Sequence, residues 1–242
     1  MEMNSNKIVS ILGLPRQGTT LISGIFNTPP NFFSAVEPHW SKICGLEISS
    51  GNKIPIDLLS GHHPSMVIPL LKQHLENSDH LGVCSIKETY RHQEKECCDY
   101  LINSDLVDVH LFIYRNPLFG FNGWKKARWD DWYNQVQNYK DCYISLHNES
   151  LMLEKAGKNV CRITYENICK PNVTEYLNSK LKQFGVFFQS DMHSTIPLGT
   201  RFGDPRASVG GPIGQSSDSV DFLHQFERDS LADIKSEIYD TL

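Results

Sequence analysis

No run in this chain approaches the ~18 consecutive apolar residues of a membrane-spanning helix, so no such span is expected. Basic excess is missing too. The 23 Lys and Arg residues stand against 28 Asp and Glu, a formal charge of -5, which argues against a general nucleic-acid binder and makes any anion site a local one. There is no CxxC and no paired metal-ligand spacing. The seven cysteines (Cys44, Cys84, Cys97, Cys98, Cys142, Cys161 and Cys169) are odd in number and scattered, which reads as reduced thiols buried as small hydrophobes. Cys97 and Cys98 are neighbours, but adjacent residues on a helix point about 100° apart, so the two are not expected to share a metal. A secretory cleavage region is absent: Met1 to Asn6 are polar, and the short apolar run after Lys7 meets Gly13, Pro15 and Arg16, so the protein is read as cytoplasmic. No repeat or linker interrupts the chain. With 242 residues, 40% of them hydrophobic, residues 1–242 are expected to form one domain with a substantial core.

Four short runs rich in Val, Ile or Phe read as buried strands: Ile8 to Leu14, Gly82 to Ile86, Val109 to Tyr114 and Asn159 to Thr164. Helical spacing lies between them, at Leu21, Ile22, Ile25 and Phe26, at Val67, Leu70, Leu71 and Leu75, and at Leu177, Leu181, Phe184 and Val186. It resumes beyond Ser219 with Val220, Leu223, Phe226, Leu231, Ile234 and Ile238. Alternating strands and helices predict a three-layer α/β/α fold around a central parallel sheet. Right-handed crossovers then put the C-terminal strand ends along one edge, where ligands bind such sheets. Thr200 to Ser219, dense in Gly, Pro, Ser and Asp, reads as a long loop and a candidate lid.

The first strand runs directly into Gly13-Leu14-Pro15-Arg16-Gln17-Gly18-Thr19-Thr20, where an apolar helix begins. Strand, tight loop and helix N-terminus make an anion cradle, because unpaired N–H groups and the positive end of the helix dipole converge on one point. Thr19 and Thr20 add hydroxyls. The spacing is that of a nucleotide P-loop, GxxxxGK[ST], but Thr19 stands where the lysine belongs. Its absence removes the usual cation for the terminal phosphates of ATP and counts against a kinase. The loop's cation is Arg16. These residues resemble the 5′-phosphosulfate loop of the sulfotransferases that use 3′-phosphoadenosine 5′-phosphosulfate (PAPS), whose pattern is Pro-Lys/Arg-Ser-Gly-Thr/Ser-Thr/Ser. Pro15-Arg16-Gln17-Gly18-Thr19-Thr20 departs from it only by Gln17 for serine. The resemblance implies that Pro15, Arg16, Gln17, Gly18, Thr19 and Thr20 hold the phosphosulfate, with Arg16 neutralising charge on the leaving phosphate and bridging oxygen.

The strand Val109 to Tyr114 ends in Arg115-Asn116-Pro117, which is similar to the same family's 3′-phosphate segment. There a strand delivers Arg-Asp/Asn-Pro, and a serine follows eight residues after the arginine. A guanidinium suits phosphate because it offers a planar fork of donors and stays charged. Eight residues beyond Arg115 stands Gly123, which leaves three alternatives: the Asn122 side chain takes the serine's place, the Gly123 N–H does, or the site is weakened.

Transfer to a hydroxyl needs a proton acceptor near the transferred group. Glu37-Pro38-His39-Trp40 resembles the Glu-Pro of carbohydrate sulfotransferases, which implies Glu37 as the base, with His39 and Glu88 as alternatives. Ile86-Lys87-Glu88-Thr89 is similar to the segment in which a strand-end lysine touches the transferred sulfate and a histidine two residues later serves as base in cytosolic members. Lys87 matches the lysine; Thr89 occupies the histidine's position and closes that route. Gly203-Asp204-Pro205-Arg206, with Arg201 before it, resembles a Gly-Asp-Pro phrase of bacterial sulfotransferases and implies a loop closing over the nucleotide, with Arg201 and Arg206 on its phosphates. Trp124, Trp129, Trp132 and Tyr133 read either as core or as a stacking surface for adenine or a sugar.

The resemblance covers most of the chain and implies a P-loop-NTPase-like sulfotransferase fold. It further implies PAPS as donor, adenosine 3′,5′-bisphosphate as product, and a hydroxyl or amine of a small molecule or saccharide as acceptor. No metal is required by that chemistry, since fixed cations serve the sulfuryl group and the leaving phosphate. Two other readings stay open: a small-molecule kinase with a degenerate P-loop, and a non-catalytic nucleotide-binding homologue, to which Gly123 points. The stretch Gly45 to Pro64, a candidate acceptor loop, carries no chemical signature.

Overall fold

Five parallel strands form the centre of the computed structural model, which describes residues 6–27, 31–39, 61–79, 81–90, 95–127, 131–188 and 220–242. They are β1 (Lys7–Gly13), β2 (Phe32–Val36), β3 (Val83–Thr89), β4 (Val109–Tyr114) and β5 (Val160–Thr164), in the order β2-β3-β1-β4-β5. The near-continuous apolar runs exist because both faces of such a sheet are covered. Helices α1 (Thr19–Ile25) and α7 (Val173–Leu181) pack on one face, with the short α6 (Tyr165–Ile168), against Val9, Ile11, Leu111 and Ile163. Helices α2 (Pro64–Glu76), α3 (Lys95–Asn103), α4 (Pro117–Ala127), α5 (Val136–Lys155) and α8 (Gln225–Glu237) cover the other, against Ile8, Leu12, Ile86 and Phe112. The expected three-layer α/β/α fold is present.

Two strands differ from expectation. Phe32–Val36, not among the four expected strands, pairs along β3 as an edge strand. The strand expected to stop at Ile86 runs on to Thr89. Hydropathy ends there but pairing does not: Lys87, Glu88 and Thr89 stay in register with Ile11, Leu12 and Gly13 of β1. Among the described residues no helix is long and apolar enough to cross a membrane. The described cysteines are free thiols, all buried except Cys142. The candidate lid, residues 200–219, lies outside the described residues.

β1 and β4 are neighbours, yet the helices that follow them, α1 and α4, pack on opposite faces. The loops therefore part between these two strands. That opening at the carboxyl edge is where ligands bind in open α/β sheets, and it is where the two segments expected to bind phosphate lie.

Candidate active site

The turn after β1 is sharp. Arg16 has φ 66 and Gly18 φ 91, both left-handed, and for Arg16 that conformation carries strain. Gly18 is doubly constrained, because a Cβ there would also lie 2.3 Å from the Tyr165 ring. Three carbonyls of the turn are held by donors from within the protein. Leu14 accepts from the Gln17 amide at 3.2 Å, Pro15 from Trp124 Nε1 at 2.6 Å, and Arg16 from Arg115 Nη1 at 3.0 Å. An anion cradle requires this, since a carbonyl turned into it would repel the anion. The Gln17 side chain also turns inward, a different task from the phosphosulfate contact expected of it. Its Oε1 accepts from the Leu14 N–H at 2.9 Å, and its Nε2 reaches the Tyr139 hydroxyl at 3.5 Å.

The second motif is fixed at the end of β4. Asn116 caps α4 by accepting from the Leu118 N–H at 3.1 Å, and Pro117 opens the helix at the position where a missing N–H costs nothing. Tyr143 donates to the Arg115 carbonyl at 3.1 Å; Glu166 accepts from the Asn116 N–H at 3.0 Å and from the Tyr239 hydroxyl at 2.6 Å. The Arg115 guanidinium, mostly buried, lies 4.5 Å above the Tyr165 ring. A Cβ on Gly123 would sit 3.1 Å from Arg16 Cβ and 4.0 Å from Arg115 Nη1. The two motifs thus meet, with Gly123 facing both arginines. Asn122 lies about 100° round the helix, and its Oδ1 accepts from the Phe222 N–H at 3.1 Å, tying α4 to the segment before α8.

At the other end of the row the chain leaves β2 at Glu37, whose N–H donates to the Lys87 carbonyl at 2.8 Å. Its φ of 45 breaks the strand alternation, and its carboxylate accepts from both Lys87 Nζ and the Thr89 hydroxyl. Lys87 Nζ also donates to Thr89 Oγ1 at 2.9 Å. All three residues are buried. Alternation along β3 sets Lys87 and Thr89 on the α1 face with Val83 and sends Glu88 to the opposite face with Cys84 and Ile86. There Glu88, wholly buried, meets His39 Nδ1 at 2.9 Å. Burial pushes the Glu88 carboxyl up to about 7, against the opposing pull of His39. Of the three candidate bases, Glu37 alone is bonded to Lys87 among the described contacts.

Lys87 lies near the end of β3, and Glu37, Arg16 and Arg115 follow β2, β1 and β4, so the four residues belong to four successive strands of the sheet. At ~4.8 Å per strand the row spans ~14 Å. Sequence reasoning did not reach Tyr139, Tyr143, Tyr165 and Glu166, which support both arginine segments. Trp124 has no exposed surface and packs against Trp132, Tyr133 and Tyr139 with centroids 5.8, 5.0 and 4.9 Å away, so it is core and not a stacking surface. Trp129, Arg201 and Arg206 lie outside the described residues.

No protein-family model matches the chain, and no curated protein matches it in sequence. Among solved structures, the sulfotransferase domain of the olefin synthase from Synechococcus PCC 7002 is similar, with a TM-score of 0.56 and 15% identity over 97% of this chain and 96% of that one. A mouse sulfotransferase solved in complex with PAP aligns at a TM-score of 0.45 and 13% identity, over 99% of this chain and 87% of that one. The first likeness gives the fold: the α/β/α arrangement described above is a sulfotransferase fold.

Proposed function

We propose that this chain, a single domain, is a sulfotransferase that takes a sulfuryl group from PAPS and places it on a hydroxyl or amine of a small-molecule or saccharide acceptor. The observation that carries the reading is the row of strand ends. Arg115 and Arg16 meet around Gly123, and the buried Glu37–Lys87–Thr89 group lies on the other side of the loop, Lys87 and Thr89 on the adjacent strand β3 and Glu37 one strand beyond. The room left by Gly123 beside Arg115 suits a 3′-phosphate, with the guanidinium fork as donor, since the Gly123 N–H lies in the interior of α4 and serves the helix.

In this reading Arg115 anchors the 3′-phosphate, and the loop Pro15 to Thr20 holds the 5′-phosphosulfate. Glu37 removes the proton of the acceptor hydroxyl as the acceptor oxygen bonds to sulfur and the bond from sulfur to the bridging oxygen breaks. Arg16 and Lys87 take up the charge that develops on that oxygen, which leaves with adenosine 3′,5′-bisphosphate. Lys87 has three donors, of which Glu37 and Thr89 engage two, so one remains for the transferred group. Thr89, in the place of a histidine base, holds Glu37 and Lys87 in position.

Incubating the full chain with PAPS and a panel of sugars and small alcohols, with mass spectrometry reading the sulfate ester, tests the proposal. Arg16→Ala should abolish transfer. Glu37→Gln should lower turnover by about 10²–10⁴-fold, the usual worth of a positioned base, while affinity for adenosine 3′,5′-bisphosphate holds. A Glu37→Gln variant that lost only donor affinity would refute the base assignment.

A further inference from the structure

We propose that His39, Glu88 and Cys97 form a site for a borderline-soft divalent metal ion, of the Zn²⁺ class, on the sheet face opposite Lys87. The three residues come from three elements: the turn after β2, the end of β3 and the first turn of α3. One ligand atom from each lies within 4.8 Å of the other two, and His39 Nδ1 is 2.9 Å from both oxygens of Glu88. Bonds of ~2.0–2.3 Å to nitrogen, oxygen and sulfur set tetrahedral ligand atoms ~3.3–3.8 Å apart. Side-chain shifts of up to ~1–1.5 Å would bring them to coordinating geometry.

The surroundings fit an ion as well as the distances do. Glu88 is wholly buried and Cys97 is nearly so, while the His39 side chain keeps 17% of its surface exposed. The partner of this buried carboxylate is the His39 ring, and a divalent ion shared by the two would bring it more opposite charge than the imidazole does. Thiolate, imidazole and carboxylate together select a zinc-like ion over Mg²⁺ or Ca²⁺, which favour oxygen ligands. Three protein ligands leave a fourth position for water. Positions 39, 88 and 97 make no local spacing pattern, which is why cysteine spacing alone reads Cys97 as a small hydrophobe. His39 is two residues from Glu37, so a bound ion would brace the turn that carries this carboxylate without joining the transfer chemistry. The site does not depend on the proposed function.

The test is titration of the metal-free full chain with Co²⁺, read by absorption, followed by competition with Zn²⁺. One equivalent should produce visible bands of a four-coordinate ion and a thiolate charge-transfer band in the near ultraviolet, both erased by Zn²⁺. Cys97→Ser should abolish the charge-transfer band and weaken Zn²⁺ by more than the ~10–100-fold that outer-shell changes cost. Cys98→Ser, whose thiol instead points to the Thr89 carbonyl at 3.6 Å, should change neither. Absence of the band in the unaltered chain, its survival in Cys97→Ser, or its loss in Cys98→Ser would overturn the proposal. Circular dichroism of metal-free Cys97→Ser reports whether it folds. If it does not, His39→Gln carries the test: weakened Zn²⁺ binding is expected, and unchanged binding overturns the site.

Discussion

Replacing Lys87 alone should destabilise the protein at least as much as replacing Lys87 and Glu37 together. The Lys87 side chain is 3% exposed and that of Glu37 12%, so solvent does little for either charge. Lys87→Met leaves the Glu37 carboxylate with the Thr89 hydroxyl but without its counter-charge, a loss of about 3 kcal/mol at the lower end of the range for breaking buried pairs. Glu37→Gln strands the ammonium at a similar cost. In Glu37→Gln with Lys87→Met neither charge remains, and the amide still meets Thr89. The double variant should therefore lose no more than about 3 kcal/mol, not the sum of about 6, a coupling of at least about 3 kcal/mol. For a chain of this size each single change corresponds to a fall in Tm of roughly 6–12 °C. Urea unfolding at neutral pH, followed by circular dichroism, measures all four corners of the cycle. Additivity within about 0.5 kcal/mol would refute the buried pair.

Gly123→Ser should tighten adenosine 3′,5′-bisphosphate about fivefold. A hydrogen bond to a charged group is worth about 1.5–3 kcal/mol, and part of it is spent moving Arg16, whose Cβ would lie 3.1 Å away. Calorimetry should show no such gain for adenosine 5′-monophosphate, and an equal gain for both would contradict the placing of the 3′-phosphate at Arg115. Burial, helped by Lys158, holds His110 down to about 4 from its ordinary 6.5. The unfolded chain thus takes the proton first, so this contribution is complete above pH 6.5 and is lost as pH falls toward 4, by up to about 3 kcal/mol. His110→Gln should flatten the loss between pH 7 and 4.5 in denaturant titrations, and an unchanged slope would contradict it. Gly18→Ala should cost at least about 1–2 kcal/mol from its left-handed φ alone and more from the Tyr165 contact. Normal stability with normal bisphosphate binding would show that the loop is not fixed as described.

What could be read in advance followed contiguity. Arg16, Arg115 and Gly123 stand in short motifs at strand ends, so their positions along the edge could be inferred before any contact was known. Phe32–Val36 gave no strand signal because Ser34 divides its apolar residues and Glu37 follows directly. The charges of Lys87 and Glu88 ended the hydrophobic run while the backbone ladder continued. Tyr139 and Tyr143 lie on α5, whose core positions include tyrosine and serine, so hydropathy did not single out its buried stripe. Their contacts with Gln17 and the Arg115 carbonyl join residues 122 and 28 positions apart, beyond any local pattern. Thr89 could be read only as a missing histidine; its bonds to Glu37 and Lys87 give it a positive role.

Calorimetric titration of the full chain with adenosine 3′,5′-bisphosphate, beside ATP with Mg²⁺, tests the donor assignment most directly. The account expects micromolar binding of the bisphosphate, its loss in Arg115→Ala, and no heat with ATP. Binding of ATP in place of the bisphosphate, or of neither, would contradict it.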